Sequence, residues 1–326
     1  MQLRRRQFLQ VVPHAAAVAA VAALPRIAMA ETYPSRPVRL IVGLPPGNSP
    51  DIVARLIAQM LSERLGQPFV VENRPGANTN IATELVVRAP ADGYTLLFVV
   101  AGNAINSAVY KNLNYNFDRD IAPVASVGGI PLVMVVTPGL PVKTVPEFVA
   151  YVKANPGKVF MGSSGTGSTL HVAGALFAMM TGIELPHVPY KESIFPDLLG
   201  GQVQLAFEPV PAVLGYIQSG KLRALGVSMP RRLDVLPEVP AIAEFVPGYQ
   251  SNGWLGLGAP KDTPAAIVAT LNNTVNDGLA DPKFKTRLND LGVVIDPMSN
   301  VAFAKFIATE SEKWAKVVEF AHINGE

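Results

Sequence analysis

Short apolar runs of strand type alternate with stretches whose apolar residues recur at helical spacing, and this alternation constrains the fold more than any other feature of the chain. VRLIVG (38–43), FVVE (69–72) and YTLLFVV (94–100) read as strands, each followed by a loop and a helix. Repeated strand–helix–strand order predicts an α/β fold with mainly parallel sheets flanked by helices. Ligands of such sheets bind beyond the carboxyl ends of the strands. The loops at 44–51, 73–78 and 101–104 are therefore expected to share one edge, which makes Pro46, Gly47, Asn48, Ser49, Asp51, Asn78, Gly102 and Asn103 candidate ligand contacts. Ser49 is read as the N-cap of a helix running to about Leu65, with Pro50 at N1 and Asp51 suiting the helix dipole.

A second candidate edge lies at GSSGTGST, Gly162 to Thr169, between the β-type run 159–161 and a helical stretch 170–180. Its glycines let the backbone curl with N–H groups exposed, and Ser168 or Thr169 can cap the helix. Such a helix start accepts an anion readily, because unsatisfied amides and the positive dipole end point the same way. Ser163, Ser164, Gly165, Thr166, Gly167, Ser168 and Thr169 are thus candidates, although the same turn also serves as an ordinary capped turn without a ligand. The spacing Gly162-x4-Gly167-Ser168-Thr169 imitates a P-loop, but serine stands where the phosphate-reaching lysine belongs. A nucleophile elbow needs glycine two residues on either side of the serine, and neither Ser163 nor Ser164 has both.

Strands are expected at 124–127 and 132–136, interrupted by Gly128-Gly129 and Pro131, where the chain first crosses into a second lobe. That lobe opens with a capping box, Thr144-x-x-Glu147. It continues through HVPYK (187–191), a helical piece at 192–199, a strand at 203–207, a helix at 210–219 and a strand at 222–227. WLGLGA (254–259) reads as the return crossing, and helices over 263–280, 282–291 and 301–322 finish the chain, with Phe303, Phe306, Trp314, Val318 and Phe320 as core. The domain reading is a signal at 1–30, lobe 1 from 31–130 and 251–326, and lobe 2 from 131–250. Two crossings imply a hinge.

Residues 1–30, with Arg4-Arg5-Arg6-Gln7-Phe8-Leu9, a modest apolar stretch and Ala28-Met29-Ala30, read as a cleaved twin-arginine-type signal, which predicts a periplasmic protein starting at Glu31. Removing its four arginines from the 27 basic side chains leaves 23 against 25 acidic ones, a net of −2. No basic run remains to track nucleic acid. The chain has no cysteine, and His171, His187 and His322 lack metal-ligand spacing, so neither metal nor cofactor is expected. No acid–base pair stands at suggestive spacing around Ser163, Ser168, His171 or His187, which argues against a serine hydrolase. A ligand-sensing domain for a signalling partner is a further alternative.

Several segments together resemble the Bug-type periplasmic receptors of tripartite tricarboxylate transporters: VRLIVGLPPGNSPDIVAR, VENRPGANTNIAT, ADGYTLLF, AINSAVYKNLNYNFDRDIAPVA, FMGSSGTGSTLHVAGALF, HVPYK, DLLGGQVQLAFEPVPAV, GKLRALGVS and WLGLGAP. The resemblance implies a two-lobe, type II periplasmic binding protein fold. Such a protein closes on a small di-, tricarboxylate or aromatic acid and, as a monomer, delivers it to inner-membrane permease subunits. It implies ligand contacts from Leu44 to Asp51 and, facing them, from Ser163 to Thr169. Against the family pattern Asn48 replaces a glycine, Glu192 follows Tyr190-Lys191 where glycine is usual, the segment before Asp197 is shortened, and Glu208 replaces a common aspartate. Lys191, Glu192 and Glu208 are therefore candidates that set the pocket's charge. Two cleft-facing glutamates would repel a second carboxylate unless one is protonated, pairs with Lys191, or the ligand carries an amine.

Overall fold

A computed structural model describes residues 33–325. The fold below is that of Arg36–Glu326. The expected signal at 1–30 lies outside the described residues. In chain order the strands are β1 (Val38–Val42), β2 (Phe69–Asn73), β3 (Thr95–Val100), β4 (Ile121–Val136), β5 (Met161–Ser163), β6 (His187–Pro189), β7 (Leu205–Pro209), β8 (Arg223–Val227), β9 (Asn252–Pro260) and β10 (Val294–Ile295). The helices are α1 (Ser49–Leu65), α2 (Asn80–Val87), α3 (Ala101–Val109), α4 (Phe117–Asp120), α5 (Val145–Ala154), α6 (Thr169–Thr181), α7 (Phe195–Gly200), α8 (Val210–Gln218), α9 (Ala265–Leu279), α10 (Pro282–Asp290) and α11 (Asn300–Phe320).

The strands form one continuous path, β2-β1-β3-β9-β4-β7-β5-β6, with β8 and β10 also paired to β4. β2, β1 and β3 are parallel, as are β6, β5 and β7. β9 and β4 run antiparallel between these groups, so the sheet is mixed. The alternation legible in the sequence thus gives two parallel edges joined by two antiparallel strands.

β4 is one strand of 16 residues, not the two expected. Gly128 and Gly129 do not break it, because their missing side chains let neighbours close in. A Cβ on Gly128 would meet the Val294 carbonyl oxygen at 2.3 Å, and one on Gly129 would meet Asn252 Nδ2 at 2.3 Å. The register with β9 shifts between Pro123 and Ala125 and again between Ser126 and Gly128, the signature of bulges. Pro131 forms the last rung with β9, and Leu132 the first with β7, so proline stands where the strand changes partners.

Smaller departures move element ends. β5 begins at Met161, with the Phe160 amide donating to Gln204 Oε1 at 2.8 Å, and α7 starts at Phe195, leaving residues 191–194 outside any helix. The N-cap of α1 is Asn48, not Ser49: Asn48 Oδ1 accepts from Asp51 N at 2.9 Å. α5 begins as expected, with Thr144 accepting from Glu147 N at 3.2 Å. α11 packs on α3, on β4 and on α6, burying Phe303, Trp314 and Val318. Phe320, expected in the core, is 49% exposed. The core beneath β5 and β7 packs Phe148, Phe177, Phe207 and Tyr249 in tilted and edge-to-face pairs, and the Tyr249 hydroxyl donates to the Ala173 carbonyl at 3.0 Å. Among the described residues no helix is long and apolar enough to cross a membrane.

Candidate ligand-binding site

Because β1, β2 and β3 are parallel, the loops that follow them leave from one edge, and their contacts tie them together. Asn73 Nδ2 donates to the Leu44 carbonyl at 3.0 Å and to Asp51 Oδ1 at 2.7 Å. Asp51 is 1% exposed and also accepts from Gly47 N at 2.8 Å and from Arg55 Nε and Nη2 at 3.0 and 3.1 Å. Burial alone would push this carboxyl up, and the donors from Arg55, Gly47 and Asn73 outweigh it, holding the group below its usual range. Asp51 and the Gly47 amide are therefore occupied by their own chain and fix the shape of the loop. The amides of Asn48 and Ser49 and the Ser49 hydroxyl have no partner among the described residues. Pro46 and Gly47 are exposed at the tip of the loop.

The second loop is backbone strain held by side chains. Ala77, Asn78 and Thr79 have φ of 44°, 48° and 79°, a left-handed run of three non-glycine residues. Asn106 Nδ2 donates to the Asn78 carbonyl and, at 2.8 Å, to Asn80 Oδ1, which also accepts from the Tyr115 hydroxyl at 2.7 Å. Asn103, 1% exposed, donates to Thr79 and Thr83 and accepts from Val100 N at 2.7 Å. Its side chain is a brace within this network. Gly43 leaves room for Thr79, whose Cβ would stand 2.7 Å from a Cβ there. Gly102 is buried beside Asn78.

The braced loop touches the glycine-rich turn. Asn78 Nδ2 donates to Asn106 Oδ1 at 2.6 Å and reaches the Gly167 carbonyl at 3.4 Å. Gly167, at φ 74°, packs so that a Cβ would meet Val109 Cγ1 at 3.0 Å. The edge after β1–β3 and the turn after β5 therefore confront each other.

Within the turn, Ser168 caps α6, its Oγ accepting from His171 N at 3.2 Å. Gly167 N donates to His171 Nδ1 at 3.1 Å, and Gly165 N to Ser163 Oγ at 3.2 Å. The amides of Ser164, Thr166 and Thr169 have no partner among the described residues, and the Ser164 and Thr166 side chains are exposed. Both edges thus combine amides locked by their own chain with amides left open.

No spacing in the sequence announces a serine–histidine contact, and the fold makes one. Ser163 Oγ lies 2.7 Å from His187 Nε2, and the His187 ring stacks on His171 at 3.5 Å between centroids. Ser163 is fully buried, and its Oγ also lies 3.1 Å from the Gly165 carbonyl and 3.2 Å from Gly165 N, so the serine is held by the backbone of its own turn as well as by the ring. Burial and the charge of His187 push His171 down to about 3, and burial pushes His187 down to about 4, so both rings are neutral at neutral pH. No carboxylate orients the His187 ring among the described residues, so the third member of a serine triad is missing there. The pair locks the turn. A fluorophosphonate reagent should leave Ser163 unlabelled in the native protein; labelling would mean that the serine is activated after all.

Lys191 and Glu192 are exposed in the segment before α7, and Lys191 forms no ion pair among the described residues. Glu208 is different. It lies near the carboxyl end of β7, is 6% exposed, and its Oε1 is sealed from solvent without a hydrogen-bond partner. Burial pushes its carboxyl up to about 7. Among the described residues no cluster of three or more His, Asp or Glu side chains is able to hold a metal ion. A cavity of about 700 Å³ opens elsewhere, lined by Arg231, Asn276, Lys285 and Val294, and includes none of the site candidates.

Comparison with known proteins adds three kinds of likeness. The family description "Tripartite tricarboxylate transporter family receptor" matches residues 53–323. Protein BugT of Bordetella pertussis is 37% identical over 294 residues, covering 89% of this chain and 90% of BugT. Among solved structures, Rpa4515 of R. palustris with adipate aligns with a TM-score of 0.78 at 37% identity, covering 90% of this chain and 99% of that one. The periplasmic binding protein BugD aligns with a TM-score of 0.75 at 32% identity, covering 90% of this chain and all of the other.

Proposed function

Because this chain belongs to the tripartite tricarboxylate transporter receptor family, a family of substrate-binding receptors and not of enzymes, we propose that it captures a small carboxylate between two lobes in the periplasm and hands it to inner-membrane permease subunits. The lobes are residues 31–130 with 251–326, and residues 131–250. The observation that carries the reading is the meeting of two loop edges at Asn78 and Gly167, with open amides in the glycine-rich turn and in the loop after β1. Rpa4515 was solved with a dicarboxylate, which supports the ligand class. Residues 1–30 would serve as a cleaved twin-arginine export signal, and the receptor would act as a monomer.

In this reading one carboxylate sits on the open amides of Asn48 and Ser49, with the Ser49 hydroxyl, and Ser164, Thr166 and Thr169 close on the ligand from the other side. A helix end contributes ~0.3–1 kcal/mol, up to ~2 when partly buried, whereas micromolar binding needs about 8 kcal/mol. Charge-assisted hydrogen bonds of roughly 1.5–3 kcal/mol each must supply most of the remainder. A ligand that touches both edges favours the closed state over the open one, and that difference drives closure.

The test is calorimetry with adipate and malate on the mature chain. Ser49→Ala combined with Thr166→Ala should weaken binding about tenfold or more, the effect of losing at least one charge-assisted bond. Unchanged affinity would remove both loops from the site, and catalytic turnover of a bound acid would overturn the receptor reading.

A further inference from the structure

We infer that Glu208 receives the hydrogen-bond-donating end of the ligand, so that the preferred solute is a carboxylic acid with an ammonium, amide or hydroxyl group at its far end and not a dicarboxylate. This rests on the receptor reading above and names the class of solute within it.

The parallel register of β5 and β7 ends with Gly162 beside Ala206, and Glu208 lies two residues further along β7, toward the same end from which the glycine-rich turn leaves β5. Side chains alternate along β7, with Phe207 in the core under α6 and Ala206 in the cluster that includes Val133, Ile194 and Val210. Glu208 therefore shares the Ala206 face, one rung nearer the strand's end. Gly162, beside Ala206, is packed over by Ile194 and Tyr190, which a Cβ there would meet at 2.3 and 3.2 Å. A carboxyl at the outgoing end of parallel strands is where a ligand of this sheet is met.

Nothing in the chain satisfies that carboxyl. It makes no hydrogen bond and no ion pair among the described residues, although it is more than nine-tenths buried. Buried polar groups are nearly always bonded, and an unpartnered one at a ligand edge points to a partner that arrives with the ligand. The other acid nearby, Asp197, is already engaged by the Tyr190 hydroxyl at 2.7 Å. Glu192 is exposed. Open donors therefore collect at the turn and at the loop after β1, and an open acceptor at Glu208. A ligand with one carboxylate and one donor group matches both. A second carboxylate arriving at Glu208 would force one of the two acids to take up a proton.

Calorimetry at about pH 8.5, above the value of about 7 to which burial lifts Glu208, tests this on the mature chain with matched acids: adipate, adipic monoamide, 6-aminohexanoate and 6-hydroxyhexanoate, then the corresponding four-carbon set from succinate. At least one donor-bearing acid should bind about tenfold or more tightly than the dicarboxylate of its length. Glu208→Gln, whose amide can donate to a carboxylate, should shrink that ratio to about threefold or less. A dicarboxylate that binds wild type as tightly as its donor-bearing relatives, or a ratio untouched by Glu208→Gln, overturns the inference while leaving the carboxylate receptor standing. Failure of every acid to bind natively folded wild type overturns the receptor reading itself. If Glu208→Gln does not fold, the wild-type series alone decides.

Discussion

Glu208→Gln should raise the melting temperature at pH 8 and leave it nearly unchanged at pH 4. An unfolded glutamate titrates near 4.5, whereas burial lifts Glu208 to about 7 in the folded chain. Between those two values the native state holds a proton that the unfolded state has released, so stability falls as pH rises through the window. Below about 4.5 both states are protonated and no penalty exists; above about 7 it is complete. At 1.36 kcal/mol per unit the full penalty is about 3 kcal/mol. Glutamine removes the charge and keeps the volume, which for a chain of this size corresponds to roughly 5 °C or more in melting temperature. A difference between wild type and variant that stays constant from pH 4 to pH 8 would mean that Glu208 is not the buried, isolated acid described here. A ligand that donates to Glu208 should lower the carboxyl's pKa and shrink the same difference, which links this measurement to the solute series.

How much of this the sequence disclosed depends on how local each feature is. The alternation of strands and helices was legible because period and turn chemistry are local, and so was the Thr144 cap. β4 was misread for a physical reason: Gly128-Gly129 and Pro131 break an isolated strand, and only the approach of β10 and Asn252 makes glycine the residue that continues it. Asn48 displaced Ser49 as cap by one residue, a choice between two capping side chains that the loop decides.

The site divides in the same way. The turn at 162–169 and the loop at 44–51 could be nominated from glycine, serine and the positions of helix starts. The brace of Asn80, Thr83, Asn106 and Tyr115 could not, since its members are up to 35 residues apart and each alone is an ordinary polar residue. One local hint existed in Ala77-Asn78-Thr79-Asn80, because asparagine tolerates the left-handed region better than most residues. The contact between Ser163 and His187 spans 24 residues and had no signal at all. Glu208 stood out as a departure from the family pattern, but its burial became visible only when β7 was placed between β4 and β5.

Asp51→Ala should cost about 2–4 kcal/mol of stability and also weaken carboxylate binding, though in the structure this carboxylate is already filled by donors of its own chain. Removing one partner of a buried, bonded pair leaves the others uncompensated, with a typical cost of about 3–5 kcal/mol. The lower figure applies here because the Arg55 side chain is 49% exposed and can rehydrate. Asn73 and the Gly47 amide lose an acceptor at 2.7 and 2.8 Å, and the loop that Asp51 ties to α1 loosens. The open amides of Asn48 and Ser49 are presented by that loop, so ordering it again on binding should reduce affinity about tenfold. Asp51→Asn keeps an acceptor for Gly47 N but surrenders the charge that holds Arg55, and its loss should fall between alanine and wild type. Urea unfolding measures the first effect and calorimetry the second. If stability drops while affinity stays at the wild-type value, the conformation of residues 44–48 does not govern binding, and the first carboxylate must be held elsewhere.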